Sequence, residues 1–124
     1  MATRGIRGAT TVERNERDAI LAATRELLEV LVRLNGLRPD DVAYVWFTVT
    51  PDLDAEFPAF AAREIGWTEV PLCCAHEMDV PGSLRMCLRI LLHVNTERAQ
   101  AEVCHVYLRG AAALRPDLAT VTPG

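Results

Sequence analysis

The run LRMCLRILLHV, residues 84–94, alternates along its whole length and reads as a β-strand. Successive side chains of a strand point to opposite faces of the sheet. Met86, Leu88, Ile90, Leu92 and Val94 therefore share one apolar face, which requires a core packed against it. Arg85, Cys87, Arg89, Leu91 and His93 share the other. Arg89 stands in mid-strand with Cys87 and Leu91 as its neighbours on that face. A charge so far inside a strand is costly unless it is paired. Two readings stay open at this point: a structural salt bridge with an Asp or Glu, or an anion site that a ligand completes.

The remaining elements surround this strand with a consistent pattern. RGIRGATTV, residues 4–12, reads as a first strand. NERDAILAATRELLEVLVRLNG, residues 15–36, is the strongest helical segment, with Ile20, Ala23, Leu27, Leu31 and Leu34 on one face. Asn15 suits the N-cap, Asp18 the positive helix start, and Gly36 the stop. VAYVWFTV, residues 42–49, reads as a buried strand. A short helix is expected from about Pro58 to Ile65, ending at Gly66. TEVPLCCAHE (68–77) reads as a strand, DVPGS (79–83) as a turn, and VCHVYLRGAAAL (103–114) as the last strand. The tail from about residue 112 to 124 reads as loose. The order β-α-β-α-β-β-β predicts a single α+β domain over residues 1–124, one mixed sheet with helices packed on one face.

Composition removes several kinds of chemistry. All 13 basic residues are arginine, so Schiff-base and phosphate-loop lysines are excluded. Ser83 is the only serine, and no nucleophile elbow surrounds it. A net charge of −4 argues against nucleic acid as a partner. No apolar run approaches membrane-spanning length, and the N-terminal MATRGIRGATTV lacks the apolar core of a secretory signal. The expectation is a cytoplasmic protein with reduced cysteines.

CCAHEMD, residues 73–79, gathers two cysteines, a histidine and two carboxylates. Cys73 and Cys74 are adjacent, so a strand sends them to opposite faces, and the spacings typical of zinc sites are missing. No signature of a Cys–His nucleophile surrounds Cys74 and His76. No metal and no cofactor are expected. The arginines say more. Arg7 lies between Gly5 and Ala9 on one face of the first strand, where small neighbours leave room above the sheet. Tyr107 offers a hydroxyl from the last strand, and Glu77 a carboxylate just after another. Each has a plainer reading, as an edge arginine in solvent, a packing tyrosine or a salt-bridge partner. Together they suit a pocket for a small carboxylate that also bears a hydroxyl.

The stretches RGIRGATTVERN, TPDLDAEFPAFAAREIGW, CAHEMDVPGSLRMCLRILLHV and HVYLRGAAALRPDL, in that order, resemble the small monofunctional chorismate mutases of the AroH type. The resemblance covers nearly everything from Arg4 to Leu118. It implies an α+β subunit that closes with two copies into a homotrimer, a trimeric pseudo-barrel with active sites at the subunit interfaces. It also implies the pericyclic rearrangement of chorismate to prephenate, which needs no covalent intermediate, metal or cofactor. By resemblance Arg89 is the cation beside the ether oxygen, and Arg7 and Tyr107 hold the side-chain carboxylate. Glu77 accepts from the ring hydroxyl with Cys74 close by. Phe57, Ala59 and Arg63 come from the neighbouring subunit, and Arg115 in the tail closes over the site. Phe60 departs from the lysine that relatives often carry there, and Cys73 and His76 match no role. The alternative is a non-catalytic small-anion binder on the same trimeric fold.

Overall fold

The computed structural model describes residues 2–115. Five strands and two helices run in the order β1 (Ala2–Thr11), α1 (Arg17–Asn35), β2 (Val42–Val49), α2 (Ala59–Glu64), β3 (Leu72–His76), β4 (Cys87–Thr96) and β5 (Val106–Tyr107). They form one mixed sheet in the order β3-β2-β4-β1-β5. β4 runs antiparallel to β1 and β2, while the outer pairs β2–β3 and β1–β5 are parallel. The fold is the α+β class expected from the element order. None of the described helices is long and apolar enough to cross a membrane.

The alternation of β4 places Leu88, Ile90, Leu92 and Val94 in the core, each at most 1% exposed. Ile6 of β1 and Val45, Phe47 and Val49 of β2 join them, and α1 covers this face with Leu27, Leu28 and Leu31. The approach is close at Gly8, where an added Cβ would lie 2.9 Å from a Leu31 methyl and 3.1 Å from a Leu27 methyl. The helix therefore rests directly on the β1 backbone. β2 corrects one expectation. It is buried on one face only, with Tyr44 and Trp46 exposed on the other, because no helix covers that side.

Three boundaries moved for tertiary reasons. Asn15 does not cap α1; the cap position is Glu16, without a side-chain bond. Asn15 instead accepts from the N–H groups of Asp54 and Ala55 and donates to the Asp54 carboxylate, tying the helix start to the loop after β2. β4 begins at Cys87 and not at Leu84, because Met86 adopts a left-handed conformation with φ of 53°. The Asp52 carboxylate accepts from the Met86 N–H, and the Thr50 hydroxyl accepts from the Cys87 N–H at 3.0 Å. Burial opposes ionisation of Asp52, but the Thr50 hydroxyl, which also donates to this carboxylate, the Met86 N–H and the Arg85 charge outweigh it and hold its pKa below the ordinary 3.8. β5 is cut to two residues because Arg109 also turns left-handed, with φ of 52°, and the chain enters a 3₁₀ helix over Arg109–Leu114. A two-point ion pair from Arg109 to Glu26, at 3.0 and 2.8 Å, fastens that turn to α1. The expected loose tail begins inside this 3₁₀ helix, and its residues 116–124 lie outside the described residues.

At the far end of α1, Asn35 is buried and makes three hydrogen bonds. Its amide donates to the carbonyls of Leu31 and Cys104, and its oxygen accepts from the Cys104 N–H at 2.7 Å. This side chain anchors the segment that leads into β5. Asn35→Ala strands both backbone groups of Cys104. It should lower stability by about 2–3 kcal/mol, read as a shifted urea midpoint with unchanged slope at fixed protein concentration.

Candidate active site

The sheet face left open by the helices carries the polar groups. Register sets them in a row: Thr48 of β2 pairs with Arg89 of β4, Arg89 with Ala9 of β1, and Ala9 with Tyr107 of β5. Neighbouring strands lie about 4.8 Å apart, so the row runs across four strands. Ala9 is its small member, and it leaves a gap between the guanidinium and the tyrosine. Arg7 stands one step along β1, opposite Leu91, which in turn pairs with Trp46. Glu77 follows β3, and its N–H bonds the Val49 carbonyl at 2.8 Å, which brings its side chain back over β2.

These residues line an open cavity of about 450 Å³ formed by Arg7, Gly8, Ala9, Trp46, Thr48, Glu77, Arg89, Ile90, Leu91 and Tyr107. Four expected site residues, Arg7, Glu77, Arg89 and Tyr107, thus meet in one place. Thr48, Trp46 and Leu91 were not foreseen as site residues. The signal for Trp46 and Thr48 was present in the period of two along VAYVWFTV, which puts them on one face with Tyr44, and Leu91 shares the Arg89 face of residues 84–94.

The charges in the cavity are loosely paired. Arg89 Nε lies 3.6 Å from Glu77 Oε2, beyond hydrogen-bond length. That nitrogen is buried and has no hydrogen-bond partner among the described residues. The arginine side chain as a whole is 41% exposed, so the ion pair contributes only about 0–1 kcal/mol. A guanidinium held on a sheet with an unused donor and a half-open face is equipped to receive an anionic ligand. Cys87 lies beside it on the same strand face. Burial raises the Cys87 thiol pKa, against the lowering effect of the Arg89 charge, so this cysteine is a neutral packing group.

Cys74, Phe57, Ala59 and Arg63 do not reach this cavity. Cys74 and Phe57 line a separate cleft of about 400 Å³ with Val49, Pro58, Ala75 and His76. The Cys74 thiol is raised chiefly by partial burial, against the opposing Ala59 N–H and Arg63 charge. Phe57 is 63% exposed and packs edge-on to Phe60, over whose ring the Arg63 guanidinium sits at 5.7 Å. The expected residues therefore form two patches on one chain. Among the described residues no three His, Cys, Asp or Glu side chains are grouped to hold a metal ion.

The chain is similar to known proteins over nearly its whole length. The family model described as chorismate mutase type I matches residues 3–118. The chain is 49% identical over 119 residues to the chorismate mutase AroH of Bacillus subtilis, spanning 95% of this chain and 94% of that one. It is 53% identical over 116 residues to the chorismate mutase AroH of Thermus thermophilus, spanning 93% and 95%. A solved chorismate mutase from Clostridium thermocellum superposes with a TM-score of 0.87 at 52% identity, covering 88% of this chain and 97% of that one.

A histidine absent from the sequence expectations supports the row from below. His105 Nδ1 accepts the Arg7 backbone N–H at 3.0 Å, at the start of the β1–β5 pairing. Burial lowers its pKa below the ordinary 6.5, and the nearby Arg7 and Arg115 charges act in the same direction. The neutral ring is thus the folded form. The stability it contributes is complete above 6.5 and is lost as pH falls through the lowered folded value. Protonation removes the acceptor under Arg7. Activity and melting temperature of the wild type should therefore fall together as the pH drops below 6.5. His105→Asn, which keeps an acceptor that does not titrate, should flatten that fall when kcat/KM is profiled against pH.

Proposed function

The chain belongs to the chorismate mutase type I family and converts chorismate to prephenate, a step in aromatic amino acid biosynthesis; from that premise we propose how its residues carry the reaction. Chorismate rearranges within itself. The carbon–oxygen bond of its enolpyruvyl ether breaks as a new carbon–carbon bond forms, so no group on the protein has to donate or accept a proton. Catalysis then rests on holding the folded, chair-like conformer and stabilising the charge that develops on the ether oxygen. Arg89 is the cation for that oxygen. It stabilises the transition state more than the ground state, because the negative charge grows only as the bond breaks.

Arg7 and Tyr107 bind the side-chain carboxylate from the strands next to Arg89. Glu77 accepts from the ring hydroxyl, a role that explains a carboxylate in a pocket built for an anion. The observation that carries this reading is the half-open Arg89 side chain, its Nε without a hydrogen-bond partner among the described residues, in a cavity lined also by Arg7, Glu77 and Tyr107. Arg115 acts on His105 electrostatically together with Arg7, which supports its place as a closing group at this end of the site.

The second patch points to a composite site in a homotrimer with the shape of a pseudo-barrel. Phe57, Ala59 and Arg63 of one copy complete the wall and mouth of the cavity on the next, and Cys74, expected beside Glu77, lines the cleft of Phe57 instead. Two features support the assembly: the separation of the two patches on one chain, and the bare sheet face with Tyr44, Trp46 and Leu91 at 37, 41 and 41% exposure. Each chain contributes as one domain.

Arg89→Ala should lower kcat by at least about 10²–10³, followed as loss of chorismate absorbance. The fold should persist, because the lost ion pair is weak. An unfolded Arg89→Ala protein would instead assign the arginine a structural role. Co-expression supplies the test of the composite site. Arg89→Ala and Arg63→Ala chains, each impaired alone, should regain activity in mixed trimers that reunite an intact Arg89 with an intact Arg63. No regain would place both arginines in one chain's site.

A further inference from the structure

Glu77 and Arg89 present a physical problem. A carboxylate beside a guanidinium ordinarily closes into a charge-assisted pair with nitrogen–oxygen distances of about 2.8 Å. Such a pair would occupy both the donors needed by an anionic substrate and the acceptor needed by its hydroxyl. In the structure the pair stays open, with Arg89 Nε 3.6 Å from Glu77 Oε2 and without a hydrogen bond.

The reason lies on β2. The Thr48 hydroxyl donates to Glu77 Oε2, the oxygen nearest Arg89. Thr48 is fixed by register as the strand partner of Arg89, and it lines the same cavity. The backbone of Glu77 is held independently through its N–H to Val49. Glu77 is thus tethered to β2 through its backbone and through one carboxylate oxygen. Among the described residues its Oε1 takes no hydrogen bond.

We propose that Thr48 is a positioning residue of the rearrangement, whose hydroxyl holds the Glu77 carboxylate off Arg89. The guanidinium thereby keeps its donors for the ether oxygen and carboxylate of chorismate, and Glu77 keeps one oxygen for the ring hydroxyl. The inference rests on the roles given above to Glu77 and Arg89. It assigns Thr48 no contact with the substrate. Thr48 acts only through Glu77, and that separates it from a residue of the binding wall.

The test uses the assembled enzyme with chorismate. Thr48→Val keeps shape and strand preference but loses the donor. It should lower kcat/KM by about 10- to 100-fold, with most of the loss in kcat, because the charge lost to Glu77 is needed in the transition state. Thr48→Ser, which keeps the hydroxyl, should recover most of it. A crystal structure of Thr48→Val should show the Glu77 carboxylate within hydrogen-bond distance of Arg89 Nε. The decisive comparison is made in a Glu77→Ala background. There Thr48→Val should cause no further loss, since the residue it acts through is gone. Equal losses in both backgrounds would overturn the proposal, as would an unaffected Thr48→Val beside an impaired Glu77→Ala. Full activity of Glu77→Ala would overturn the role of Glu77 itself, and with it the inference.

Discussion

β4 is paired along its length with β1 on one side and β2 on the other, and a slip of one residue would turn Arg89 into the core. The buried face of Leu88, Ile90, Leu92 and Val94 forbids that slip. Burying one leucine-sized side chain is worth roughly 1.5–3 kcal/mol, so exposing four of them while burying Arg89 and His93 is out of reach of any local compensation. The hydrophobic core under the sheet therefore fixes the geometry of the charges above it. Thr48, Arg89, Ala9 and Tyr107 form a row because the apolar residues between them have no alternative register.

Around that rigid centre the irregular segments aim the ends of the strands. Asp52 and Thr50 stop β4 at Cys87 by bonding the backbone at Met86 and Cys87. Asn35 holds Cys104, and His105 holds the Arg7 N–H, so that β5 meets β1 where Tyr107 can reach the cavity. The Arg109–Glu26 pair fastens the turn that follows. Asp52, Thr50, Asn35 and His105 each lie far in sequence from the backbone group they satisfy. The site is thus assembled from strands whose own hydrogen bonds leave little freedom. Such preorganisation is what an electrostatic catalyst without a nucleophile requires.

Particular residues mark the limit of what could be read in advance. The period of two in residues 84–94 was enough to place Arg89 on the open face, and the period in 42–49 carried Trp46 and Thr48 in the same way. The second pattern was obscured by its apolar letters: Trp46 and Tyr44 look like core residues until it is known that nothing packs over them. Asn15 was a good cap by type, but two backbone donors of the loop at Asp54 and Ala55 compete for the same oxygen and win. The last strand read as twelve residues and is two, because a left-handed Arg109 turns the chain and a partner on α1 holds it there.

By itself the sequence determined the element order, the apolar faces and the side of the sheet on which each charged residue stands. Those properties follow from local period and from the cost of burying charge. The resemblance over nearly the whole chain pointed to the family as well. Only the tertiary structure decided which polar residues meet. Arg7, Thr48, Glu77, Arg89 and Tyr107 lie on different elements, and their distances depend on strand order and register. It also decided that Cys74, expected beside Glu77, stands instead in the cleft of Phe57. Strand order and register are set by long-range pairing and by how α1 seats on Gly8, and no local pattern in 124 residues encodes the resulting distances.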